Sequence, residues 1–280
     1  EIFEARKEPS GEAIISEYDG VVKKIYKADL GRWVAIEAEL KTDNPDIVGK
    51  AAARDIINPE TGVVEVYATQ ELTKKDADRL KKAKINSIPV LELILVPYRG
   101  NLEVKEGDRI RAGDRITTGP LNPHRLLRIR GDRAVQEYII REVQAVYKAQ
   151  GVDINDKHIE IICRQMMRKR KIVHPGDTRF LPGELVDRFV LSEENERIQE
   201  MIDAGEMIEE EDPGTGETRK RKPRRATADW VLQGIARASL QSESFLSAAS
   251  FQKTTQVLTE AAIRRKVDNL VGLKENVIIG

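Results

Sequence analysis

The chain has 280 residues, and its 47 Lys+Arg balance 47 Asp+Glu to give a formal net charge of +0. With 40% hydrophobic and 34% charged residues, it is expected to fold around real cores beneath a densely charged surface, in about two domains. Aromatic residues at 5% argue against an aromatic-rich lectin or base-stacking module, and a single cysteine excludes an intramolecular disulfide and a cysteine-rich zinc site. No apolar run approaches the roughly 18 residues of a membrane helix, so a soluble, intracellular chain is expected. Residues 1–7 look charged and helical, and residues 277–280 look like a strand cut short. Together these ends read as a fragment of something larger.

In residues 13–25, apolar clusters flank Asp19-Gly20, which predicts a hairpin or strand bend at that pair. Residues 44–88 read as an insert. Within it, 58–62 is a turn between two short apolar runs, and a short helix follows over 73–83 with Thr73 as cap and Ala77 and Leu80 apolar. Residues 102–116 return to strand-like alternation at Leu102, Val104, Ile110 and Ile116, punctuated by Gly107-Asp108 and Gly113-Asp114. Glycine supplies the positive φ that such turns need, and aspartate bonds the neighbouring backbone. Short strands joined in this way predict a small barrel or sandwich.

After Pro120 the pattern turns helical. Asp132 is placed as the cap of a helix with Val135, Ile139, Val143 and Val146 at a 3.6 period and Gly151 at its end. A second helix starts at Asn155 or Asp156 and sets Ile159, Ile162, Cys163 and Met166 on one face. Its other face and its end carry Arg164, Arg168, Lys169, Arg170 and Lys171. Cations in a last turn complement the helix dipole, and the same cluster is a phosphate-contact candidate; both readings stay open.

From Pro175 the chain returns to turns and short strands, with a helical pattern over 193–208. An acidic block at 209–212, a turn at 213–216 and a basic block at 219–225 predict a solvated hairpin. A localisation signal or nucleic-acid arm is the sharper alternative. Residues 238–255 then combine many small hydroxyl residues with Phe245 and Phe251, a mixture that packs poorly as an ordinary amphipathic helix. Ser250 is placed as the cap of a helix in which Phe251, Thr255, Leu258 and Ala262 share a face, interrupted at 272–276 before the final strand.

Catalytic groups are scarce. Cys163 sits on an apolar helix face and reads as a buried structural thiol, and His158 as a packing or capping histidine. His124, His158 and His174 have no partner at metal-ligand spacing. There is no Walker-type loop, no GxGxxG and no paired-carboxylate motif in a setting that would hold magnesium. On its residues the chain binds something and catalyses nothing by itself.

Several stretches, in order, resemble one family. Val152-Asp-Ile-Asn-Asp-Lys-His-Ile-Glu-Ile-Ile-Cys-Arg-Gln-Met-Met-Arg168 closely resembles a run of the bacterial RNA polymerase β′ subunits. Residues 238–262 look like the carboxy-terminal switch segment of that family, 272–280 like the motif that follows, and 2–6 like the residues just after the trigger loop. The resemblance implies an α+β fold in five parts. Residues 1–8 would end the trigger-loop region, and 9–119 would form a jaw-side sandwich-barrel hybrid with an α+β insert at about 44–88. Residues 120–175 would be helical, 176–226 would hold short strands, a helix and a charged hairpin insert, and 227–280 would be a helical switch at the clamp base.

The resemblance also implies a role: DNA-templated RNA synthesis, in which this part grips downstream DNA and the clamp hinge without a catalytic metal of its own. Magnesium and zinc would lie elsewhere in the assembled enzyme. Partners would be the remainder of β′, the β, α-dimer, ω and sigma subunits, template and downstream DNA, and RNA, with no membrane, in the bacterial cytoplasm at the nucleoid. Carried onto this sequence, DNA contacts fall on Arg237, Gln252, Lys253, Lys266 and Lys274. Arg237 stands where relatives carry lysine, and Arg264-Arg265 replaces a small-residue pair. An inhibitor pocket would use Phe245, Phe251, Leu258 and Lys274.

Two rivals start from other residues. The β-module also resembles a biotinyl or lipoyl carrier, but Lys105 lies inside a strand-turn and is not displayed at a hairpin tip. A free-standing basic adaptor could bind nucleic acid through residues 219–225, which leaves the Ser/Ala/Phe-rich segment unexplained.

Overall fold

The computed structural model describes residues 2–211 and 218–280 and has an α+β fold, in two compact units. One unit is residues 8–130; the other comprises residues 131–280 with the N-terminal residues up to Lys7. No helix among the described residues is long and apolar enough to cross a membrane.

In the first unit, β1 (Gly20–Ala28) and β2 (Gly31–Lys41) form a hairpin through Asp29 and Leu30. Next come β3 (Ala51–Ala52), β4 (Ile56–Ile57), β5 (Val64–Val66) and α1 (Lys74–Lys82). Then come β6 (Ser87–Pro97), β7 (Arg109–Ile110) and α2 (Pro123–Arg130). The main sheet is antiparallel, in the order β3-β6-β2-β1-β7. Its spine is the β2–β6 ladder, in register from Gly31 opposite Pro97 to Lys41 opposite Ser87. The edge strands are two residues long, so among the described residues the sheet stays open and closes no barrel.

Local chemistry explains the turns. Gly107 and Gly113 take φ +90° and +82°. In each turn the following aspartate reaches back three residues: Asp108 accepts from the Lys105 amide and Asp114 from the Arg111 amide, both at 2.7 Å. Asn58 closes the β4–β5 turn by accepting from the amides of Glu60 and Thr61. Thr73 and Asp76 form a reciprocal capping box on α1, whose Leu80 is buried. Asp19-Gly20 is not the expected hairpin. Gly20 opens β1 between Ala38 of β2 and Ile110 of β7, where a Cβ would meet the Glu37 carbonyl oxygen at 2.5 Å.

The inner face of the sheet carries two apolar clusters. One gathers Ala38, Leu40, Ile88 and Val90 with Ile47, Leu72 and Leu80. The other gathers Val22, Val34, Ile36 and Val96 with Val104, Ile110 and Ile116. Glu92 of β6 falls between them in the inward alternation. It is 9% exposed and lies 3.7 Å from the Lys50 ammonium, which also sits over the Tyr18 ring at 4.4 Å. The Tyr18 hydroxyl donates to Asp46 at 2.9 Å, so one polar chain joins Asp46 and Lys50 to the sheet.

The second unit begins with α3 (Asp132–Ala149) and α4 (Asp156–Met166). β8 (Lys169–His174), β9 (Leu185–Asp187) and α5 (Arg188–Asp203) follow, then β10 (Ile208–Glu211) and β11 (Thr218–Arg221). β12 (Thr227–Trp230) completes a three-stranded sheet in the order β12-β8-β9. Four short helices end the chain: α6 (Ile235–Leu240), α7 (Phe245–Phe251), α8 (Thr254–Ile263) and α9 (Leu273–Ile279).

Several expectations shift here. Gly131, at φ +82°, takes the cap position of α3 and leaves Asp132 in the first turn, where a carboxylate still suits the dipole. Val146 and Ile162 are exposed, while Ile159, Cys163 and Met166 are buried. Helix α5 starts at Arg188 rather than 193 because Asp187 caps it, and it ends at Asp203. The terminal residues are helical in α9, not a strand, and the opening residues form only a 3-10 turn at Ile2–Glu4. His158 is exposed rather than packed. The charged hairpin pairs Glu209 with Lys220 and Glu210 with Arg219; its expected turn at 213–216, like Asp212, lies outside the described residues.

Burial pushes the Glu92 carboxyl above the ordinary carboxylate range against the pull of Lys50, with Glu17 raising it and Arg125 opposing. A raised native value favours folding at acid pH, and that contribution fades as pH climbs through the folded pKa. Lys50→Met should therefore destabilise the chain by roughly 3 kcal/mol at mildly alkaline pH and far less in acid. Urea midpoints across a pH series check this, and Glu92→Gln should abolish the pH dependence of the Lys50→Met effect.

Candidate nucleic-acid interface

The basic run after α4 is not the end of a helix. Helix α4 closes at Met167, whose amide bonds the Cys163 carbonyl, and residues 169–174 pair as β8 between β9 and β12. The dipole explanation for the run therefore falls away. Asp187, buried at the end of β9, pairs with Arg168 and lies 4.0 Å from the Lys169 ammonium. Arg168 also donates to Glu243 at 2.6 Å. Burial lowers Lys169, with Asp187 opposing that shift. Arg170 is buried, its guanidinium 3.2 Å from the Trp230 ring centre and donating to the Met167 carbonyl at 2.9 Å. Burial, with Arg188 beside it, pushes Arg170 down to about 10. Lys171 is exposed.

The hydroxyl-rich segment resolves its packing problem by breaking into short helices. Ser244 caps α7, its Oγ accepting from the Ser247 amide at 3.0 Å. Ser250 and Phe251 lie inside α7, so Ser250 does not cap the helix that follows: α8 starts after Lys253, with no side-chain cap. The Ser250 hydroxyl donates to the Ser247 carbonyl, Thr254 to that of Ala249 and Ser239 to that of Ile235. Ala248 and Ala249 are buried, so α7 presents small residues where chains approach. Joints flanking α8 carry left-handed non-glycine residues: Lys253, Arg265 and Leu270 at φ +53°, +50° and +52°.

Asp268 holds these joints together. Its carboxylate accepts from the Ser244 hydroxyl at 2.6 Å, the Leu246 amide at 3.2 Å and the Leu270 amide at 3.1 Å. Burial pushes the group up, but these donors hold it below the ordinary carboxylate range.

Of the residues expected to touch DNA, Arg237, Gln252, Lys253, Lys266 and Lys274 are all exposed. Lys274 reaches the Ser247 carbonyl at 3.4 Å and lines a cavity of about 490 Å³ together with Phe251, Met166 and Gln233. Arg168 and Lys169 edge this cavity and a second one of about 620 Å³ that Lys266 and Asp268 line. Phe251 and Lys274 thus meet at one cavity, whereas Phe245 and Leu258 do not line it. Asp187, Glu243 and Asp268 organise the region and were not singled out by the sequence, since a lone carboxylate carries no spacing signal. Cys163 is buried and its thiol is pushed up to about 11 by that burial, which suits a packing role. No three His, Cys, Asp or Glu side chains converge as metal ligands among the described residues.

Asp268→Ala should free the Leu246 and Leu270 amides and speed their hydrogen exchange by about tenfold. Because the native pKa is lowered, the same loosening should develop in the unaltered chain as pH falls through that value.

A family model for RNA polymerase Rpb1, domain 5, matches residues 10–243. The chain is 43% identical over all 280 residues to the DNA-directed RNA polymerase subunit beta' of Desulforudis audaxviator. It is 45% identical over the same length to the proteins of that name from Caldicellulosiruptor saccharolyticus and a Thermoanaerobacter species. It spans 18% of the length of each of these relatives. A match over most of the chain, carried on by likeness along its full length, places it plainly: the chain belongs to the RNA polymerase Rpb1 domain 5 family.

Proposed function

We propose that the chain works as part of the β′ subunit of a DNA-directed RNA polymerase, contributing to DNA-templated RNA synthesis. The observation that carries this reading is likeness to subunits of that name at 43% to 45% identity over the whole chain. Residues 9–119 would lie on the jaw side of the cleft near downstream DNA, and 227–280 would form a switch at the clamp base. The left-handed joints at Lys253, Arg265 and Leu270 support a hinge there, because strained backbone between short helices suits two alternative packings.

Arg237, Gln252, Lys253, Lys266 and Lys274 would contact the phosphate backbone, with exposed Lys171 as a further phosphate contact. Arg168, Lys169 and Arg170, expected beside it, are engaged instead by Asp187, Glu243 and Trp230. A polymerase slides along any sequence, so such contacts are sequence-independent and salt-sensitive. Small molecules that block the switch would bind near Phe251 and Lys274, with Phe245 and Leu258 outside that cavity. The partners are the rest of β′ with β, the α dimer, ω and sigma, and the nucleic acids of the transcribing complex in the bacterial cytoplasm. Magnesium and zinc belong to parts of that assembly outside this chain.

A split polymerase tests the reading: upstream β′ with the other subunits, plus or minus this chain. RNA synthesis should depend on the added chain; a folded chain that never joins the polymerase overturns the proposal. In the assembled enzyme, Arg237→Ala and Lys274→Ala should each shorten open-complex lifetime. The dependence of log lifetime on log salt should flatten by about 1, so the deficit is largest at low salt. Unchanged lifetimes across the salt series in both variants would sink the DNA-contact assignment.

A further inference from the structure

The basic run at 219–225 divides into two halves with different surroundings. Strand β11 ends at Arg221, and its backbone pairs with strand β10 along the hairpin ladder. Lys222, Arg224 and Arg225 lie beyond that ladder. All three are exposed and make no ion pair among the described residues.

The backbone beneath them is fixed at both ends. Arg221 grips Asp177 through two bonds of 2.7 Å, and the same carboxylate accepts the Arg224 amide at 2.7 Å. The Asp177 amide returns a bond to the Arg224 carbonyl at 2.9 Å. Gly176 packs so closely below that a Cβ would meet the Arg224 carbonyl oxygen at 2.3 Å. Two residues on, the Asn195 side chain accepts the Ala226 amide at 2.9 Å and donates to the Ala226 carbonyl at 3.1 Å. Pro223 and Ala226 point inward and are buried. A run of cations normally sits on a solvated face and orders only on binding; here the ordering has been done by the fold.

We propose that Lys222, Arg224 and Arg225 form a pre-organised ledge that binds the phosphate backbone of a nucleic acid, separate from the switch residues. The chain has a formal net charge of +0, so attraction to a polyanion must come from local features of this kind. The choice of nucleic acid as the polyanion rests on the proposed function; the ledge itself rests on its geometry.

The test is anisotropy titration of the chain with labelled oligonucleotides, single-stranded and duplex, over a salt series. Neutralising the ledge (Lys222→Gln, Arg224→Gln, Arg225→Gln) should weaken binding at least about tenfold at low salt and lower the salt slope by about 2 to 3. A control that removes the same charge from α1 (Lys74→Gln, Lys75→Gln, Lys82→Gln) should change affinity less than about threefold. Asp177→Asn makes the chain more positive yet releases the ledge, so it should bind several-fold more weakly. Equal losses in ledge and control, or tighter binding by Asp177→Asn, would overturn the proposal. Polyglutamate competing as well as DNA at equal charge would overturn the choice of nucleic acid. Loss of binding in Arg237→Ala and Lys253→Ala with none in the ledge variant would overturn the ledge and leave the proposed function standing.

Discussion

A single buried carboxylate sets the arrangement of the second unit. Asp187 ends β9, caps α5 by accepting the Phe189 amide at 3.0 Å, and faces both Arg168 and Lys169. A carboxylate taken out of water must be matched by charge and hydrogen bonds, because a lone buried ion costs several kcal/mol, of order. That requirement draws the chain leaving α4 against the three-stranded sheet. Arg168, once placed there, extends to Glu243 in the linker between α6 and α7. The cations that look available in the sequence are thereby engaged in joining a sheet to the helical segment.

Asp268 plays a comparable part with backbone rather than cations as partners. By binding Ser244, Leu246 and Leu270, it ties the start of α7 to the stretch between α8 and α9. The segment is therefore a set of short rigid pieces meeting at one carboxylate. Its joints, not its helices, carry the backbone strain. Exposed cations sit on these pieces, so a change at a joint would move charge without melting a helix.

Much of the local structure was legible because it rests on chemistry visible in the sequence. The α3 and α4 periods, the Thr73 cap, the Asn58 turn and the two Gly-Asp turns each use a residue type with a specific backbone preference. What escaped was the spine of the sheet. Strand β6 is apolar on both faces, with Leu91, Leu93 and Leu95 outward and Leu93 56% exposed, so no alternation marks it. A charge run carries no period, so the sequence alone joins residues 168–171 to the preceding helix, and only β-pairing separates 169–171 from it. Phe251 and Lys274 were brought to one cavity, while the carboxylates that hold the region came from loops and strand ends.

The two-sided apolar character of β6 has a consequence for how the sheet finds its pairing. A strand with leucine, isoleucine or valine on either face could slide by one residue and still bury apolar surface. Glu92 removes that freedom. In the slipped register it would turn outward, Leu93 would take its place, and Lys50 would be left with no carboxylate to meet. A residue that is costly in the finished fold thus acts during folding as a key that only one alignment of the long ladder accepts.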